Sequence, residues 1–153
     1  MNEWNTSAVN SLAQCFLSCT SFNQPIGNWN TGAVVSLSQT FYNCTSFNQP
    51  LPWNTANVTS LNETFRLATG FNQNISSWNI ANVVNMNGFM QSKTNLNYSS
   101  ANYDALLLGW SSQTVEPNLT PNFGTIKYTA TGVPGRNILT GAPNNWVITD
   151  GGL

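Results

Sequence analysis

The chain has 153 residues, 6% of them charged, and a net charge of −1, so it offers neither a basic stripe for nucleic acid nor a field that would steer a charged ligand. Apolar residues make up 41%, a globular value, and the length suits one domain with its own core. Asn, Ser, Thr and Gln carry the polar load, and the near-zero net charge favours association with other chains.

No apolar run approaches the length of a membrane span, and the N-terminus lacks a basic-then-apolar leader. Met1 runs almost directly into a repeat at Trp4. The expected setting is therefore a piece of a larger exported protein, or a chain carried outside without a leader, as virion proteins are.

From Trp4 the chain keeps a beat. Trp4, Trp29, Trp53 and Trp78 are separated by 25, 24 and 25 residues. Five residues past each stand Val9, Val34, Val58 and Val83; eight past stand Leu12, Leu37, Leu61 and Met86; twelve past stand Phe16, Phe41, Phe65 and Met90. Phe22, Phe47 and Phe71 open the phrase, with Ile26, Leu51 and Ile75 four residues later. Such a period predicts stacked units, none of which buries its apolar face alone.

Within a unit, Val58, Leu61 and Phe65 follow the i, i+3, i+7 spacing of a helical stripe. Asn54 or Thr55 is placed to cap it, as are Asn30 or Thr31 and Asn79 in neighbouring copies. The spacing thus predicts a short helix, partly 3₁₀, over about residues 56–67 and its equivalents. Residues 47–53 are expected to be extended, since Pro50 and Pro52 forbid helix. The one-residue deletion at Pro52, opposite Gly27-Asn28 and Ser76-Ser77, marks a surface turn. The predicted architecture is an α/β solenoid: a leucine-rich-repeat-like right-handed coil with a short parallel sheet on one face and short helices or 3₁₀ turns on the other. Residues 1–102 form four repeats, the last degenerate, and residues 103–153 form a cap.

In the cap, Asp104 to Trp110 reads as a helix ended by Gly109, Gly124 to Tyr128 as a strand, Gly135 to Thr140 as a short helix, and Trp146 to Thr149 as a final strand. The segment is expected to cover the last apolar face of the stack.

Cys15, Cys19 and Cys44 are odd in number and have no His beside them, so no metal pattern arises. Cys19 and Cys44 share a repeat position, where geometry allows a disulfide; the plainer reading is a core column shared with Ala68.

The stretches Phe16-Leu-Ser-Cys19-Thr-Ser-Phe22 and Phe41-Tyr-Asn-Cys44-Thr-Ser-Phe47 resemble the repeats, about 26 residues long, of bacterial surface proteins related to BspA-like leucine-rich repeats. The resemblance covers residues 4 to about 98, departing where Lys93 stands in the Cys/Ala column and Leu96-Asn97-Tyr98 replaces the Phe-Asn-Gln opening. The C-terminal Trp146-Val-Ile-Thr-Asp-Gly-Gly152 is similar to the closing segment seen after such repeats. The resemblance implies display on a cell surface or virion.

Catalysis is not expected. The carboxylates Glu3, Glu63, Asp104, Glu116 and Asp150 are scattered through unrelated contexts, Glu63 and Arg66 read as a solvated pair on one helix, and no phosphate loop, nucleophile elbow or metal-ligand spacing appears. No cofactor and no metal are expected. The remaining polar columns are Asn23, Asn48, Asn72 and Asn97; Gln24, Gln49 and Gln73; and the Thr columns at Thr20 and Thr6. These ladders either satisfy backbone groups at the turns or present a neutral hydrogen-bonding strip. The candidate binding residues are Asn23, Gln24, Asn48, Gln49, Asn72 and Gln73, facing a glycan, a protein or neighbouring subunits. The expected function is a non-catalytic binding or adhesion module, the alternative a structural spacer of a fibre or capsid-associated assembly. Neither nucleic acid nor direct membrane insertion is expected.

Overall fold

In the stretch Leu37 to Phe47, alternate amides leave their own repeat. The structure, a computed structural model, describes residues 4–153. The N–H groups of Leu37, Gln39, Phe41 and Asn43 donate to the carbonyls of Ser60, Asn62, Thr64 and Arg66 in the next repeat, at 3.0, 2.8, 3.0 and 2.8 Å. Between them, Thr40, Tyr42 and Cys44 donate three residues back, to Leu37, Gln39 and Phe41, closing overlapping β-turns. This requires left-handed backbone at Gln39 and Asn43, with φ of 56° and 57°. Gln14 and Ser18, Glu63 and Leu67, and Gly88 and Ser92 repeat the device.

The helix expected over residues 56–67 and its equivalents is therefore absent. A helix sends each amide to the carbonyl four residues back, whereas here a left-handed residue at every fourth position swings carbonyls toward the neighbouring repeat. A chain of β-turns buries residues at spacings of three and four just as a helix does: Val34, Leu37, Phe41, Cys44 and Phe47 are all inside. Asn54 builds an Asx turn, accepting from the Ala56 N–H at 3.1 Å, and Thr55 donates its hydroxyl to Asn79 O in the next repeat at 2.9 Å.

The parallel sheet is absent too. Among the described residues no strand forms, and parallel pairing between the repeats is confined to single bridges, Ser11 to Ser36, Ser36 to Ser60 and Ser60 to Asn85. The α/β solenoid with a sheet on one face and helices on the other is thus replaced by repeats stacked through turns. In residues 47–53 a backbone ladder cannot propagate, because Pro50 and Pro52 have no N–H to donate and the Asn48 amide is taken by a side chain, Asn23 Oδ1, at 2.9 Å.

Register gives the core its order. Phe16, Phe41 and Phe65 stack at 5.6 and 5.4 Å, Phe22, Phe47 and Phe71 at 5.6 and 6.0 Å, and Trp29, Trp53 and Trp78 at 6.4 and 6.5 Å. The cysteines are all free. Cys44 is buried and donates to Phe16 O, its thiol pushed up to about 12 by burial. Cys19 is exposed, so the column is a core column from Cys44 onward, and the disulfide that geometry allowed is not formed.

The end of the stack is covered by two helices that pack on each other, α1 (Ser100–Ser111) and α2 (Val133–Thr140). Helix α1 starts earlier than its apolar run suggests because Ser99 caps it, accepting from the Asn102 N–H. It also continues through Gly109. That glycine serves close approach rather than termination: a Cβ there would lie 2.5 Å from Ser76 O. Trp110 Nε1 donates to Ile75 O at 3.3 Å, repeating the bonds from Trp53 to Ile26 O and from Trp78 to Leu51 O. The helix so occupies the tryptophan place of a further repeat. The strands expected at 124–128 and 146–149 reduce to the bridges Thr94 to Thr125 and Asn122 to Thr149. The tail is held where Arg136 donates twice to the Asp150 carboxylate, at 2.9 and 3.2 Å, and Tyr103 donates its hydroxyl at 2.8 Å.

Candidate functional site

Each repeat carries its Asn-Gln pair at the same place, just after the phenylalanine that enters the core. Asn48 Oδ1 accepts from the Asn72 N–H and from Gln73 Nε2, both at 2.9 Å. One repeat earlier, Asn23 Oδ1 accepts from the Asn48 N–H at 2.9 Å and from Gln49 Nε2 at 3.0 Å. Asn72 Oδ1 continues the ladder into the cap, accepting from the Ser99 N–H and Asn102 Nδ2, both at 2.9 Å.

The structure therefore brings Asn23, Asn48, Asn72, Gln49 and Gln73 into one line. Gln24, at its N-terminal end, makes no hydrogen bond among the described residues. Asn97 leaves the column: its Oδ1 accepts from the Thr94 N–H within its own turn. One amide atom per side chain stays open. The Nδ2 of Asn23, Asn48 and Asn72 and the Oε1 of Gln49 and Gln73 have no partner among the described residues. The outer surface of the ladder is thus a row alternating neutral donors and acceptors.

Beside this row lies a surface groove of about 410 Å³ lined by Pro25, Gly27, Asn28, Gln49, Pro50 and Pro52. Gly27 is needed there, because a Cβ would lie 2.9 Å from Pro50 O and 3.0 Å from Pro52 Cδ. The proline pair escaped the column reading, although proline following Gln24 and Gln49 in successive repeats was its visible sign. Rigid pyrrolidine rings line the groove without rotamer freedom to lose on contact, and no titratable side chain lines it.

On the opposite run of turns, Gln14 Nε2 donates to Gln39 Oε1 at 2.7 Å and Gln39 Nε2 to Glu63 at 2.6 Å, with Arg66 closing the chain on Glu63. The Glu63–Arg66 pair forms, but across a β-turn rather than on a helix. Hydrogen bonds from Gln39 and then Arg66 hold the Glu63 carboxyl below its usual range. Among the described residues, no group of three His, Cys, Asp or Glu is placed to hold a metal ion.

If the ladder is carried by the asparagine oxygens, Asn48→Ala should lower stability by about 1 kcal/mol, since it removes the acceptor of the Asn72 N–H and one of the two acceptors of Gln73 Nε2. Gln49→Ala, which removes a donor only, should cost about half as much. Urea denaturation of the two variants measures the difference, and equal losses would contradict the ladder.

Fold and site together define a class: a stacked-repeat protein whose units of 24–25 residues are joined by turns and amide ladders and closed by a helical cap. The chain belongs to the family described as Mycoplasma protein of unknown function, DUF285, whose model matches residues 1–103. No curated protein and no solved structure matches it.

Proposed function

We propose that the chain is a non-catalytic binding and adhesion module of the BspA-like kind, displayed on a cell surface or virion, that takes a neutral glycan on the Asn/Gln face. The observation that carries this reading is the groove of Pro25, Pro50 and Pro52 running beside open asparagine donors and glutamine acceptors. Hydroxyl groups both donate and accept, so a sugar chain can use both kinds of open amide atom, while the proline rings supply apolar contact to its ring faces. A protein loop is the competing ligand on the same face. The surface setting rests on the repeat resemblance. No helix among the described residues is long and apolar enough to cross a membrane.

The second reading is a structural spacer in a fibre or capsid-associated assembly. It is favoured by the fact that each ladder oxygen already serves a neighbouring repeat. The two readings separate on Asn28→Trp, which fills the groove from an exposed position outside the ladder. Glycan-array and cell-attachment assays of wild type and variant are the test. Binding by the wild type that falls at least tenfold in a folded variant supports the module; wild-type attachment unchanged by the substitution, or none at all, overturns it.

A further inference from the structure

The Asn/Gln row climbs the stack one repeat at a time, and a second column climbs beside it. Two places past Asn23, Asn48 and Asn72 stand Pro25, Pro50 and Asn74, all exposed. The two prolines line the groove together with Gln49, whose Oε1 is open. At Asn74 the proline gives way to an amide. Its Oδ1 accepts from the Ser76 N–H at 2.9 Å, and its Nδ2 has no partner among the described residues. Both columns advance with the repeat, and equivalent core rings in successive repeats lie 5.4–6.5 Å apart. That spacing is close to the length of one pyranose unit in an extended polysaccharide.

We infer that the ligand of this face is a neutral, unbranched polymer of equatorially linked pyranose units lying along the stack axis, one unit to a repeat; the inference rests on the glycan reading above. Such a chain is extended, with C–H groups on its ring faces and hydroxyls along its edges. Laid along the axis, it sets successive ring faces on Pro25 and Pro50 and its edge on the row. Every unit then meets the same open atoms, an asparagine Nδ2 and a glutamine Oε1, and the third unit meets the Asn74 amide. Laid across the stack, the chain would touch the row at one point only. An axially linked chain coils, and its units would leave the row. Charge selects against acidic polysaccharides, because all four cations of the chain are engaged elsewhere. Arg66 pairs with Glu63 on the opposite run of turns and Lys93 is buried among carbonyls. Lys127 donates to Leu153 O and Arg136 to Asp150, both in the cap.

Titration calorimetry of the full chain with oligosaccharides of increasing length tests this. The probes are β-1,4-linked glucose, N-acetylglucosamine and mannose series, with the α-1,4-linked glucose series as the coiled control. For at least one β-linked series, affinity should rise about tenfold from two units to three, while the α-linked series shows no such rise. Asn74→Ala should remove most of that gain, and Asn28→Trp should abolish binding at both lengths. Urea midpoints confirm that the variants are folded, and the wild-type length series stands without them. Saccharide binding that Asn28→Trp abolishes, but that is independent of length or equal for the α-linked series, would overturn the axial polymer and leave the glycan reading intact. A length gain unchanged in Asn74→Ala would put the chain across the stack and overturn it likewise. No binding of any saccharide would overturn both.

Discussion

Phe65→Ala should lower the unfolding free energy by about 3–5 kcal/mol, the cost of a large cavity that its surroundings cannot fill. Phe65 is fully buried at the middle of the stack. Its ring lies 5.4 Å from Phe41, 4.0 Å from Phe71, 5.9 Å from Trp78 and 5.6 Å from Phe89. Collapse into the space is opposed on both sides by turns whose amides are already tied to the next repeat. Phe16, in the same column at the open end, stacks on Phe41, Phe22 and Trp29 and has no described repeat beneath it. Phe16→Ala should cost roughly half as much, because the end repeat can relax. Urea denaturation of both variants checks the ratio. Equal losses would mean that the repeats do not support one another through the column.

The second large effect is a dependence on pH set by Lys93. This lysine is 1% exposed, and its Nζ donates to the carbonyls of Ala68, Phe71 and Asn97, with the Phe71 and Tyr98 rings 5.8 and 6.0 Å away. Burial pushes its ammonium group down to about 7. In the unfolded chain a lysine titrates near 10.4. Between these values the unfolded state binds the extra proton, so stability should rise with pH, by up to about 1.4 kcal/mol per unit. Below pH 7 both states carry the charge, the burial penalty is present in full and this contribution is flat. From about pH 8.5 the raised Cys44 thiol opposes this rise, and above about pH 10 the trend should reverse, because burial also raises the Tyr98 and Tyr103 hydroxyls above their usual range and only the unfolded chain then ionises freely. The urea midpoint of the wild type should climb relative to that of Lys93→Met from pH 7 to 8 to 9, a comparison in which the buried Cys44 thiol that both proteins share cancels. A constant difference would mean that the three carbonyls solvate the ammonium well enough to keep it charged.

The sequence disclosed the register of this molecule more fully than its backbone. From the second repeat on, the Trp, Val, Leu and Phe columns occupy the core as their spacing required, because burial depends on which side chains recur on one side, not on how the backbone gets there. That is also why the helix reading failed: overlapping β-turns and an α-helix bury the same i, i+3, i+7 positions. The distinguishing cue was in the columns between. Gln14, Gln39, Glu63 and Gly88 share a place, and the glycine there marks left-handed backbone. The sheet failed for a related reason. Residues 47–53 form neither helix nor strand; chain without N–H groups at Pro50 and Pro52 cannot pair, and the Asn ladder stands in for the missing backbone bonds. Of the site, the line of Asn and Gln was legible, whereas the groove depends on Pro52 of one repeat lying against Gly27 of the previous one. Lys93 stood out as a departure from its column; only its surroundings reveal that it is buried under the cap.

Hydrogen bonds that cross from repeat to repeat hold the stack together, and NMR scalar couplings through hydrogen bonds observe these directly. Correlations are predicted from the amide nitrogen of Gln39 to the carbonyl carbon of Asn62, from Phe41 to Thr64 and from Phe65 to Phe89. Correlations from these amides to carbonyls four residues earlier in the same repeat would restore the helix and contradict the stack of turns.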